Sequence, residues 1–180
     1  MNQPVTRYFE APDYYAPAPG DGPVVFLGGG ITGCPRWHDG VTDTLTRSGK
    51  PLVICNPNRA EFPIHDPSAG WEQVTWEQHH LHLPDVITLM HFPASDRTVT
   101  TQPVAMFELG QILGENSGGG RRRRLVLCVD PGYPRVMDIG LLCRAESLRL
   151  GRPMPVIHQH LAPALAEVLE HVDELLALDS

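Results

Sequence analysis

Two carboxylates and one glycine-rich loop stand out as residues whose types and spacing could do chemistry: Asp85, Glu108, and Gly28-Gly29-Gly30-Ile31-Thr32-Gly33. A carboxylate can capture an electron-poor carbon as an ester, and a second carboxyl group can pass a proton to a leaving group. Glu108 follows Val104 and precedes Ile112 by four residues each, so helical spacing puts it on the face of a helix that packs toward the interior. A buried carboxylate without a partner is costly. It either pairs with an arginine or has a chemical task, and the second acid at Asp85 together with the glycine loop favours the task. The glycines at 28, 30 and 33 have the GxGxxG spacing of a loop that offers backbone N–H groups to a phosphate. The same spacing equally suits a tight turn that needs backbone freedom.

Other side chains could join them. Asn56 and Arg59, in Asn56-Pro57-Asn58-Arg59, can hydrogen-bond a sugar or a phosphate, and each also has an ordinary use, Asn56 in a turn and Arg59 in an ion pair. Trp37, Phe92 and Tyr133 could stack on a planar ligand or belong to the core. His79, His80 and His82 lie near Glu72 and Glu77, but the spacing is not that of a zinc helix, so no metal and no cofactor are expected. Cys34, Cys55, Cys128 and Cys143 are widely spaced and read as free thiols.

The elements that must position these groups follow from apolar periodicity. Val24 to Leu27, Leu52 to Cys55, Asp85 to Phe92, Leu125 to Val129 and Pro155 to His158 read as short buried strands. Between them fall helical patterns: one carrying Trp37, Val41 and Leu45, one over Trp71 to Leu83, one opening at Pro103, and one over Val136 to Leu150. A last helix carries Leu161 to Leu176. Five strands alternating with five helices predict an α/β, Rossmann-like and flavodoxin-like, doubly wound sheet of about five parallel strands in the order 2-1-3-4-5 with helices on both faces. Ligands bind at the carboxyl edge of such a sheet, where strands 1 and 3 meet. Residues 1–22, rich in proline and tyrosine, read as an extended arm on a domain spanning 23–180, and the run Arg121 to Arg124 as a flexible basic loop.

Gly29-Gly30-Ile31-Thr32-Gly33, Asn56-Pro57, Asp85 at the start of the third strand and Phe107-Glu108-Leu109-Gly110 together resemble the nucleoside 2-deoxyribosyltransferase family, in a branch with a Gly-Gly-Ile-Thr-Gly loop. The resemblance covers roughly residues 23–143. It implies Glu108 as the nucleophile, Asp85 as the acid that handles the base, and a glycine loop bordering the nucleoside. It also implies a homo-oligomer in which a neighbouring subunit completes the site. The family's asparagine after the fourth strand falls near Asp138 here, a departure from the pattern. The expected ligand is a nucleoside or nucleotide, with or without an acceptor base, and both transfer and hydrolysis are compatible with it. A different class, a non-catalytic module binding a nucleotide or NAD at the glycine loop, is the alternative.

Composition narrows the field. A chain of 180 residues can bury roughly 70% of its unfolded surface around one core. A net charge of −7 offers no general field for nucleic acid, and no apolar run approaches a membrane span. With Glu10, Asp13 and Asp21 in its first 22 residues the chain lacks a signal-peptide pattern, and a cytoplasmic protein is expected.

Overall fold

The computed structural model describes residues 5–63, 65–115 and 123–178, so Arg121 and Arg122 of the basic run lie outside the described residues. Among the described residues six strands form one parallel sheet: β1 (Arg7–Glu10), β2 (Val24–Gly29), β3 (Val53–Asn56), β4 (Ile87–Phe92), β5 (Arg124–Val129) and β6 (Ile157–His158), in the order β1-β3-β2-β4-β5-β6. Counted from Val24, the five strands keep the expected order, with β2 and β4 adjacent at the switch point. The helices are α1 (Trp37–Arg47), α2 (Pro67–Leu81), α3 (Pro103–Glu115), α4 (Val136–Leu150) and α5 (Leu161–Leu178).

Alternation along the strands fills two cores, one on each face. Phe26, Met90, Phe92, Leu127 and Val129 meet Trp76 of α2, Ala105, Leu109 and Ile112 of α3, and Ile139 and Cys143 of α4. Val25, Leu27, Ile87, Leu89 and Val126 meet Val41 and Leu45 of α1 and Val168 and Val172 of α5. Every residue of β4 is buried, which explains why it reads as a continuous apolar run. Each such side chain contributes roughly 1.5–3 kcal/mol by leaving water. The helix expected from Trp71 starts earlier. Asp66 accepts from the Ser68 N–H at 2.8 Å and Pro67 occupies the first helical turn, a cap that outweighs the weak apolar periodicity there.

The sixth strand comes from the arm. Arg7 N–H donates to the Leu52 carbonyl at 2.9 Å, and Tyr8 stands in register with Ile54. Beyond it, Ala11 and Tyr15 are buried in the α2–α4 core. Trp76 Nε1 donates to the Asp13 carbonyl at 2.9 Å, and the Tyr15 N–H to His80 Nε2 at 3.0 Å. The arm therefore packs Phe9 and Tyr15 on its own chain, while Tyr8 and Tyr14 stay about half exposed. No described helix is long and apolar enough to cross a membrane.

Candidate functional site

A cavity of about 610 Å³ opens at the carboxyl edge of β2, β3 and β4, on the α2–α3 side of the sheet. Its floor is Phe26 and the glycine loop, where Gly28, Gly29, Gly30, Ile31 and Thr32 all line it. Gly29 has φ 136°, a conformation that side chains strongly disfavour, and a Cβ on Gly30 would come within 2.4 Å of Gln102 Oε1. Two hydrogen bonds pin the loop: Gly30 N–H to the His91 carbonyl at 3.0 Å, and Trp37 Nε1 to the Gly30 carbonyl at 2.9 Å.

Two carboxyl groups enter this cavity from different helices. Glu108, in the second turn of α3, is 4% exposed; burial first, and then the neighbouring Glu77, push its pKa up to about 8. Glu77 of α2 is 9% exposed. Burial raises its proton affinity too, while a hydrogen bond from Gln73 and the charge of Arg59 work in the opposite direction. Like charges in one desolvated space cannot both ionise cheaply, so the pair holds a proton near neutral pH. The buried stripe of α3 is Ala105, Glu108, Leu109 and Ile112. Val104, expected on that face, is instead 59% exposed at the cavity rim, because the helix turns its more C-terminal members inward.

Gln102 precedes α3 with φ 51°. Its Nε2 donates to the Pro93 carbonyl at 2.9 Å and to Ser95 Oγ at 3.1 Å, which leaves Oε1 buried beside the glycine loop. Arg59 also lines the cavity, with its charge paired to Glu72 and Nη2 buried without a hydrogen-bond partner. Nε donates to Gln73 Oε1 at 2.7 Å, Nη2 lies 2.9 Å from Glu72 Oε2, and the group sits over the Phe62 ring at 5.6 Å.

Of the residues expected at the site, Gly29, Gly30, Ile31, Thr32, Arg59 and Glu108 are brought together, and five others are not. Asp85 precedes β4 at the amino edge of the sheet, with Arg124 Nη1 3.8 Å from its carboxylate. The six residues of β4 separate it from the cavity edge by ~20 Å. Trp37 is buried beneath the glycine loop, T-shaped against His91 at 4.9 Å, so it supports the loop and offers no face to the cavity. Phe92 belongs to the core and packs on Tyr133 at 5.1 Å. Asn56 is turned away, its Nδ2 donating to Tyr8 Oη at 2.8 Å and its Oδ1 accepting from the Asn58 N–H at 2.9 Å. Asp138, in the first turn of α4, pairs with Arg135 at 2.5 Å.

Glu77, Gln73 and Gln102 were not picked out by the sequence. Glu77 was visible only as part of a polar helix with three histidines. The signal that could have separated it is Gln73 four residues before, which places an amide and a carboxyl on one face. The histidines have other uses: His80 is fully buried and accepts from the arm, and His82 pairs with Glu115 at 2.8 Å. Among the described residues no cluster of histidine, cysteine, aspartate or glutamate could hold a metal ion.

No curated protein matches this sequence. Residues 22–132, from the edge of β2 to the turn after β5, match the family model described as nucleoside 2-deoxyribosyltransferase like. They hold the glycine loop, both cavity carboxyl groups and the helix that carries Glu108. This chain therefore belongs to the nucleoside 2-deoxyribosyltransferase-like family.

Proposed function

We propose that the cavity binds a (deoxy)nucleoside and that Glu108 attacks C1′ of its sugar, cleaving the N-glycosidic bond and passing the 2-deoxyribosyl group to another base or to water. The observation that carries this reading is the pair of buried carboxyl groups, Glu77 and Glu108, facing one largely apolar cavity at the switch point of the sheet. Such a pair divides labour as the two acids of a retaining glycosidase do. As the C1′–N bond lengthens, positive charge develops on the sugar and favours the ionised form of Glu108. Negative charge develops on the base and draws the shared proton to it through Glu77. The Glu108 oxygen then forms an ester with C1′, and the base leaves with the bond's electron pair and the proton. In the second half, an acceptor nitrogen or water attacks C1′ from the opposite face and gives its proton to Glu77, and Glu108 is freed. Two displacements give net retention. Glu77 thus takes the part expected of Asp85.

The donor is an unphosphorylated nucleoside in this reading. Among the described residues Arg59 is the one basic side chain lining the cavity, and its guanidinium is already engaged by Gln73 and Glu72. Two buried carboxyl groups beside one cation that is already ion-paired with Glu72 also argue against NAD, whose pyrophosphate would need a cation of its own. Release of free base from deoxynucleosides, with and without an acceptor base, tests the proposal. The expected result is turnover of nucleosides well above that of their 5′-monophosphates, and a ~10³-fold or larger loss of turnover in Glu108→Gln. Tight NAD binding with no response to any nucleoside would overturn it.

A further inference from the structure

Glu77 does not stand alone in α2. Gln73 lies one turn before it, and every hydrogen-bonding group of the Gln73 amide is committed. Its Nε2 donates to the Pro57 carbonyl at 2.7 Å and to Glu77 Oε1 at 2.7 Å, and its Oε1 accepts from Arg59 Nε at 2.7 Å. Arg59 is fixed in turn by Glu72 at 2.9 Å and by the Phe62 ring. The amide cannot turn over without setting its NH₂ against the guanidinium and its oxygen against the Pro57 carbonyl and the Glu77 carboxyl group. It is therefore locked with its donors toward Glu77.

We infer that Arg59 and Gln73 are positioning residues for Glu77: their hydrogen-bonded chain holds Oε1 as an acceptor, reserves Oε2 for the exchangeable proton, and sets how readily that proton leaves. This rests on the proton-handling role of Glu77 proposed above. Physically, a carboxyl group buried beside Glu108 would hold its proton too firmly to give it to a departing base. A donor on Oε1, backed by the guanidinium behind Gln73, stabilises the carboxylate left after transfer. The charged and titratable groups around Glu77 act in known directions. Glu108, across the cavity on α3, favours the protonated form. Arg59, from the loop after β3, favours the ionised one, and Glu72, on the outer side of Arg59, moderates it. His80, on the same helix, is held as a neutral ring, its Nδ1 donating to the Trp76 carbonyl while Nε2 accepts from Tyr15. Arg59, expected from sequence to contact a ligand, acts one residue removed from it.

The test is a ¹³C-carboxyl NMR titration of glutamate-labelled protein in the Glu108→Gln background, where Glu77 titrates without its partner and no turnover is needed. Gln73→Met keeps the side-chain length and removes the donor. The Glu77 midpoint should rise by about one pH unit or more. Arg59→Met, which leaves Gln73 in place, should move it the same way by less, and serves if Gln73→Met fails to fold. With Glu108 restored, the alkaline limb of kcat/KM, where Glu77 loses the proton it must donate, should move up in both variants while the fold is unchanged by circular dichroism. A Glu77 midpoint that stays put in both variants overturns the inference and leaves the glycosidic reading standing. A midpoint that moves, when the protein with Glu108 intact cleaves no nucleoside, keeps the chain's effect on Glu77 and overturns the reaction instead.

Discussion

Glu108 costs the fold something, and the cost has a pH signature. Its ordinary value of 4.5 is pushed up to about 8 by burial and by Glu77, so the folded protein binds this proton more tightly than the unfolded chain does. Stability associated with Glu108 is therefore fully present below about pH 4.5 and is lost as pH rises through about 8. Glu108→Gln removes the charge at nearly constant volume. The substitution should leave stability almost unchanged at pH 5 and raise it at pH 9 by on the order of 2 kcal/mol or more, read from denaturant unfolding at the two pH values. An equal gain at both would mean that the carboxyl group is not held protonated by its surroundings. A site residue that destabilises its own fold is the expected trade between stability and activity. Sequence reasoning found Glu108 because one acidic residue on an apolar helical face is conspicuous. It missed Glu77 because α2 has polar residues all round, and only the loop after β3, which holds Gln73 beside it, and α3 across the cavity make that face an interior.

At the scale of elements, the site depends on α2 being held in place, and α2 is held by the arm. Tyr15 is buried against the core that includes Trp76, and its N–H closes on His80, three residues from Glu77. Tyr15→Ala should cost about 3 kcal/mol of stability through the lost burial. It should also loosen the turn that carries Glu77, so kcat/KM per folded molecule falls more than in a variant of equal stability loss on the α1–α5 side. Equal activity in the two would show that the arm is only a covering strand. The arm's extended character was legible from its prolines, but its place in the sheet was not, since four residues of mixed polarity carry too little alternation to mark a strand. Loop ends were harder still. Asn56, Trp37 and Phe92 lie next to the carboxyl edge in sequence, yet alternation turns their side chains into the loop support and the core, and a register of one residue decides such outcomes.

For the whole molecule, the doubly wound sheet was readable because both its faces are covered. Buried strands such as Ile87–Phe92 become continuous apolar runs, helices become amphipathic, and their alternation leaves few topologies. The same topology assigns Asp85 and Glu108 to opposite edges, since one opens a strand and the other follows it. Their nearness in sequence, with a loop between, had suggested a partnership that a strand of six residues rules out. What the fold does bring together is one carboxyl group from each of two helices over a glycine floor, and that juxtaposition is the ground on which Glu108 is proposed as nucleophile. The most direct measurement is mass spectrometry of the protein quenched during reaction with a 2-fluoro-2-deoxynucleoside, whose fluorine slows breakdown of the intermediate. The account predicts the mass of the sugar on the peptide containing Glu108, absent from Glu108→Gln and lost on adding an acceptor base or on prolonged incubation in water. Turnover of the nucleoside with no adduct on that peptide, together with a Glu108→Gln protein that works normally, would contradict it.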